Sequence, residues 1–277
     1  MSWHAALDLR YRRDGDRTLL AHRHDGPLRV LKSLYPESPA ICHDVLVHPP
    51  GGIVGGDALA IDLRVAATAH ALVTTPGATR FYRSAGATAS QTLDARIEPG
   101  ARLEWLPLET ICHSGSQVEN RLRFELAPGA EMMGWDLLAL GLPASGAPFE
   151  AGRVDQTIEL PGLWLERSRI DAVDDRRLLA SPLGWGGDRL LATLWFATGT
   201  AMARPRIDAL LDTARGLAAD HALAHRSGCT SPDARLVVLR ALAPHTEPAR
   251  TLLTAVWRAW RELAWDLAPC APRVWQT

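Results

Sequence analysis

The chain has 277 residues, of which 47% are hydrophobic and 22% charged, and a formal charge of −1. A chain of this length buries roughly 70–75% of its unfolded surface without disulfides or metals, and it allows one large domain or two small ones. The charge balance excludes a globally basic nucleic-acid binder and a long acidic tail; Lys32 is the sole lysine among arginines.

The opening MSWHAALDLRYRRDGDR carries charge from Asp8 onward and lacks the apolar core of a secretory signal. Cys42, Cys112, Cys229 and Cys270 form no CxxC pair, which fits free thiols in a reducing compartment. The uncharged stretch Leu137–Phe149 is broken by Gly141, Pro143, Gly146 and Pro148, too short and interrupted to span a bilayer. A soluble, cytoplasmic protein is expected.

Strand signals dominate the first two thirds. Apolar residues alternate with polar ones at Leu7, Leu9 and Tyr11, from Leu59 to Val65, and at Leu122, Phe124 and Leu126, the period of half-buried strands. Pro76-Gly77-Ala78, Pro99-Gly100-Ala101 and Pro128-Gly129-Ala130 each divide two such runs and predict type II turns. Three strand–turn–strand units without a fixed repeat length predict a large mainly β body over about residues 1–200, a β-sandwich or β-helix-like stack. Helical spacing then predicts two helices, at about 206–225 and 247–267, the second stopped by Pro269. Between them Leu236–Leu239 reads as a buried strand. No polar linker interrupts the chain, so a single domain is expected.

The densest motif is HPPGGIVGGD, His48–Asp57. It is no phosphate loop: no G-K-[ST] follows, the spacing is G-G-x-x-G-G, and a strand rather than a helix comes next. Glycines 51, 52, 55 and 56 predict a turn that lets backbones approach closely, and Asp57 is a candidate to line a cavity with a carboxylate. Cys42-His43 and Cys112-His113 cannot each give two ligands from adjacent strand positions. Cys42, His43, His48 and Asp57 therefore suit at most a metal in transit, not a closed cage. Neither a G-x-S-x-G elbow nor H-E-x-x-H is present; Glu104 and Glu109 are the carboxylates open to acid–base work. Trp257 and Trp260 lie on a helical apolar stripe, whereas Trp275, beyond a proline stop, reads as a docking anchor in a tail with few core contacts.

PLRVLKSLYPES (27–38), HPPGGIVGGD (48–57), TPGATRFYRS (75–84), LEWLPLETI (103–111), GWD (134–136) and PRVWQT (272–277) follow in this order. Together they resemble the UreD (UreH) family of urease accessory proteins over nearly the whole chain. Arg80 and Leu108 stand where lysine and glutamine are usual, and Leu142 and Ala147 replace an arginine and a glutamate. The resemblance implies a non-enzymatic β scaffold with a pair of helices. Such a scaffold binds the urease structural subunits, recruits UreF and through it the GTPase UreG, and passes nickel through an internal channel without holding a stable cofactor. It implies contact with neither nucleic acid nor membrane. The interface or passage candidates are His48, the four loop glycines, Asp57, Arg80, Tyr82, Arg83, Glu104, Glu109, Trp257 and Trp275. The competing expectation is a hydrolase using Glu104, Glu109 or His48.

Overall fold

The computed structural model describes residues 2–142 and 145–276. Pro143 of the uncharged stretch and Thr277 of the closing block lie outside them. The chain opens with a hairpin, β1 (His4–Asp14) and β2 (Arg17–Asp25), then β3 (Arg29–Val30) and β4 (Ile41–Val47). Three coils follow. The first is β5 (Ala58–Val65), β6 (His70–Thr74) and β7 (Thr79–Phe81); the second is β8 (Ala89–Ile97), β9 (Arg102–Leu106) and β10 (Thr110–Cys112). The third is β11 (Ser116–Leu126), the long β12 (Glu131–Leu142) and β13 (Ala147–Pro148), after which β14 (Gly152–Leu160) and β15 (Trp164–Asp171) close the stack.

Successive coils stack strand on strand. β1, β5, β8, β11 and β14 pair in parallel in one sheet, and β4, β6, β9 and β12 in the other. β7, β10 and the end of β12 form a short third side. Of the two expected architectures the chain adopts the β-helix-like one. Ile61 stacks on Leu93 but Leu93 on Leu122, so the repeat length drifts and no fixed period marks the sequence.

The corner between the two sheets carries Thr68, Gly100 and Gly129 at φ of 62, 68 and 77°, each in a turn closed by the amide of the next residue. Glycine takes this left-handed conformation without strain, which explains two of the three Pro-Gly signals. Pro76-Gly77 is different. Gly77 does not adopt positive φ, and the turn lies at another corner, between β6 and β7; its true equivalent is the corner at Thr68.

The rest of the chain covers the second sheet. After α1 (Arg176–Ala180), β16 (Leu190–Thr198) and the hairpin β17 (Ser227–Asp233) and β18 (Leu236–Ala243) extend that sheet antiparallel. The β body therefore continues past residue 200, and Leu236–Leu239 forms part of β18. α2 (Arg204–Ala219) and α3 (Thr246–Trp265) pack on its outer face. Both helices end earlier than their apolar periodicity suggests; α3 stops at Asp266, which turns left-handed at φ 53° and returns its amide to the last turn. α1 has no counterpart in the sequence reading. The first sheet instead turns its outer face to water, with charged rows such as Asp8, Asp62, Asp94 and Arg123 in register.

Candidate functional site

The His48–Asp57 loop is two successive tight turns. The Gly51 amide bonds to the His48 carbonyl and the Asp57 amide to that of Val54, each 2.9 Å, with Gly51 and Gly56 at φ of 79 and 93°. A Cβ on Gly52 would stand 1.9 Å from the Tyr82 ring, and one on Gly55 2.1 Å from Ser84 Oγ. These glycines thus let the loop lie flat on the segment that carries Arg80, Tyr82 and Arg83. Arg80 and Arg83 are exposed, and Tyr82 stacks on His113 at 4.8 Å.

Asp57 does not face a cavity. One carboxylate oxygen accepts the Trp3 amide at 2.6 Å and the other the Val54 amide at 2.9 Å, and the residue is 1% exposed. Cys42 and His43 also have other work. His43 bonds Glu37 at 2.6 Å, and the Cys42 thiol, pushed up to about 12 by burial and the Asp44 charge, donates to Asp44. Among the described residues no three His, Cys, Asp or Glu side chains converge to hold a metal.

Glu104 is fully buried and joins the sheet to α3. It accepts hydrogen bonds from His70 (2.8 Å), Trp257 (2.7 Å) and Arg261 (3.1 Å). Arg261 also reaches Glu37 and the Ala268 carbonyl. With its oxygens engaged and no solvent access, Glu104 drops out of the hydrolase reading. Glu109 does not join it; its Oε2 is buried without a partner, as is His48 Nε2. Trp257 is 0% exposed and belongs to the core, not to a surface. Trp275 is also turned inward, packing on Trp135 and Trp257 at 5.1 and 5.6 Å and donating to Thr74 Oγ1 at 2.8 Å. The expected free tail is a strap across α3. Leu142 and Ala147, the two departures from the family pattern, pair with each other in register.

The loop does border a cavity of about 220 Å³, reached past His48, Gly51, Gly52 and Arg80. Its inner wall holds Gln91, Asn120, Trp105 and Asp136, residues the sequence reading did not single out. They belong to a polar layer that crosses the coil stack. In the first sheet Gln91, Asn120, Gln156 and Ser168 occupy one register row; in the second Asp136, Thr193 and Arg240 occupy another. Arg240 pairs with Glu166 and lines an open cleft of about 1030 Å³ at the other end. The second row thus runs from one opening to the other. Gln156 keeps both amide atoms, and Trp105 and Trp195 their indole N–H groups, buried without protein partners. Burial pushes the Asp136 carboxyl up to about 7, and the Glu166 charge adds to the rise. The one-dimensional signal was available: Gln91, Asn120 and Gln156 each stand at an apolar phase of their strand's alternation.

A sequence model described as UreD urease accessory protein matches residues 4–276. The chain belongs to the UreD family. Among its relatives, the urease accessory protein UreD of Leptothrix cholodnii is 61% identical, with 100% of each chain covered. That of Variovorax paradoxus is 58% identical over 100% of each, and that of Albidiferax ferrireducens 58% over 99% of each. None of the described helices is long and apolar enough to cross a membrane.

Proposed function

We propose that this UreD chain serves urease maturation as a scaffold that binds urease apoprotein, recruits UreF and through it UreG, and conducts nickel between the two sheets. The observation that carries the reading is the polar double row from the cavity at His48 to the cleft at Arg240. A buried row of amides, hydroxyls and a carboxylate is costly in a β stack unless it meets partners. Water or a hydrated cation supplies them. Oxygen donors, few of them charged, suit a divalent ion that must leave again. Nickel is cargo on this reading, never held by a full ligand set.

Asp136 is the carboxylate at the cavity end of the second row. Asp136→Leu is to be co-expressed with the urease genes, and nickel in purified urease measured by mass spectrometry. The expected result is a complex that still assembles on urease apoprotein while urease nickel content falls several-fold. Full nickel content from an assembled Asp136→Leu complex would overturn the passage.

A further inference from the structure

We propose that the free edge of β2 pairs with the same edge of a second copy of this chain. The two strands run antiparallel with His22 opposite its symmetry mate, and they join two seven-stranded sheets into one. Which backbone groups of β2 are free follows from those that β1 uses. The Ala58 amide bonds to the Trp3 carbonyl and the Ala66 amide to that of Tyr11, each 2.9 Å. Odd-numbered residues of β1 therefore turn their backbone groups to β5, and even-numbered ones turn theirs to β2. Ala6 stands opposite Asp25 and Asp14 opposite Arg17, so β1 takes up the odd-numbered residues of β2 and the even-numbered ones face outward. Thr18 is covered: its amide bonds to the Pro39 carbonyl at 3.0 Å and its carbonyl accepts the Tyr35 hydroxyl at 2.8 Å. Among the described residues, the amides and carbonyls of Leu20, His22 and His24 have no partner. Such a row is a template for another strand.

The ends of the free stretch select its occupant. Pro39 and Ala40 lie beside Thr18, and Gly26, at φ 71°, turns the chain away after Asp25. A longer straight strand would run into Pro39. A second β2 would not, because in the two-fold pairing centred on His22 the residue opposite Thr18 is Gly26, past the end of the strand. Leu20 then meets the partner's His24, and His22 the partner's His22, as hydrogen-bonded pairs. A two-fold contact uses one patch twice, and this register alone leaves none of the three residues unpaired. On the outer face Ala21 stands opposite the partner's Arg23 and Leu19 opposite the partner's Asp25, so no like charges are directly opposed. Exposed Arg17 lies diagonally across from the partner's exposed Asp25, an opposite-charge pair made twice. The two Arg23 side chains are also diagonal, and each has Asp8 opposite it in its own sheet. On the other face His22 and His24, whose rings stack at 6.3 Å, gather about the axis with those of the partner. The pairing does not rest on the passage, whose row beyond Gln91 continues toward β2 as Leu59 and Ala5. The seam is short, so association is reversible.

The register is tested by cross-linking the full chain with Cys270→Ser, which removes the one cysteine that is not buried, and either His22→Cys or Leu20→Cys. Hydrogen-bonded antiparallel partners stand about 5.5 Å apart at Cα, within reach of a disulfide, whereas Leu20 and its mate are offset along the strands by about 13 Å. Under mild oxidation His22→Cys is expected to give a disulfide-linked dimer and Leu20→Cys none. In sedimentation velocity the wild-type chain is expected to dimerise reversibly at about 100 µM. His22→Pro removes an outward amide that β1 does not use, and should weaken dimerisation at least about ten-fold with the hairpin intact. His22→Asp sets two carboxylates face to face and should do the same, which keeps the test decisive if the proline variant fails to fold. A wild-type chain that stays monomeric would overturn the seam, as would cross-linking through Leu20→Cys in place of His22→Cys. So would a dimer that His22→Asp leaves intact. Loss of UreF binding by His22→Asp, with the wild-type chain monomeric, would assign the edge to a foreign strand and overturn it likewise.

Discussion

Asp136 lies between two sheets, and its carboxyl is raised from the ordinary 3.8 to about 7 by burial and the Glu166 charge. The folded protein therefore holds this proton more tightly than the unfolded chain. The stability so gained is complete below about pH 4 and lost as the pH rises through 7. Asp136→Asn removes the penalty. It is expected to raise the unfolding free energy by up to about 4 kcal/mol above pH 8 and by little near pH 4. Urea unfolding across that range checks it, and a gain independent of pH would show that the charge is not its source. Glu104 has the opposite sign. Burial alone would raise its carboxyl, but the hydrogen bond and charge of His70, with Arg261 and Trp257, hold it below the ordinary value of 4.5. Its contribution is present above the ordinary carboxylate range and lost as the pH falls through the lower folded value. Burial likewise depresses His70 below 6.5, so acid weakens the same junction twice. Glu104→Gln leaves Arg261 with a single carboxylate and is expected to cost about 3–5 kcal/mol, read by denaturant unfolding at pH 7.

At the scale of elements, α3 is held from three directions. Glu104 binds it from β9, Glu131 accepts the Trp265 indole at 2.6 Å, and Trp275 caps Trp257 from outside. Trp275→Ala is expected to lower stability by about 1–3 kcal/mol, less than for a fully enclosed tryptophan, and to shift tryptophan emission to the red. A variant with unchanged melting temperature would show that the strap is not needed for folding. The apolar stripe of α3 was readable because helical period reports a buried face directly. The inward turn of Trp275 was not, since a proline stop says where a helix ends and nothing of where the chain goes next. The corner at Thr68 escaped for a related reason: threonine does not announce positive φ, whereas the glycines of Pro99-Gly100 and Pro128-Gly129 do.

For the molecule as a whole, one sheet is charged and wet, the other is covered by helices, and both ends of the polar row open beside exposed apolar groups: Val54 and Tyr82 at one, Leu178 and Leu183 at the other. With a net charge of −1 there is little long-range repulsion to keep copies apart. The isolated chain is expected to be less soluble than the chain co-expressed with UreF, measured as the soluble fraction at matched expression. Equal solubility would count against a large surface that partners cover.

The family, the mainly β class, the two long helices and the glycine-dependent fold of the His48–Asp57 loop follow from the order of residues alone. Each depends on near neighbours: alternation, helical spacing, turn chemistry and a run of motifs. The choice of stack over sandwich, the engagement of Asp57 by backbone amides, the clamp of Glu104 on α3 and the row joining Gln91, Asn120 and Gln156 to Asp136 were decided in three dimensions. Residues about thirty positions apart meet there only because parallel coils come into register. A polar residue at an apolar phase marks a strand as unusual, but only the stacking of coils shows that several such residues form one path.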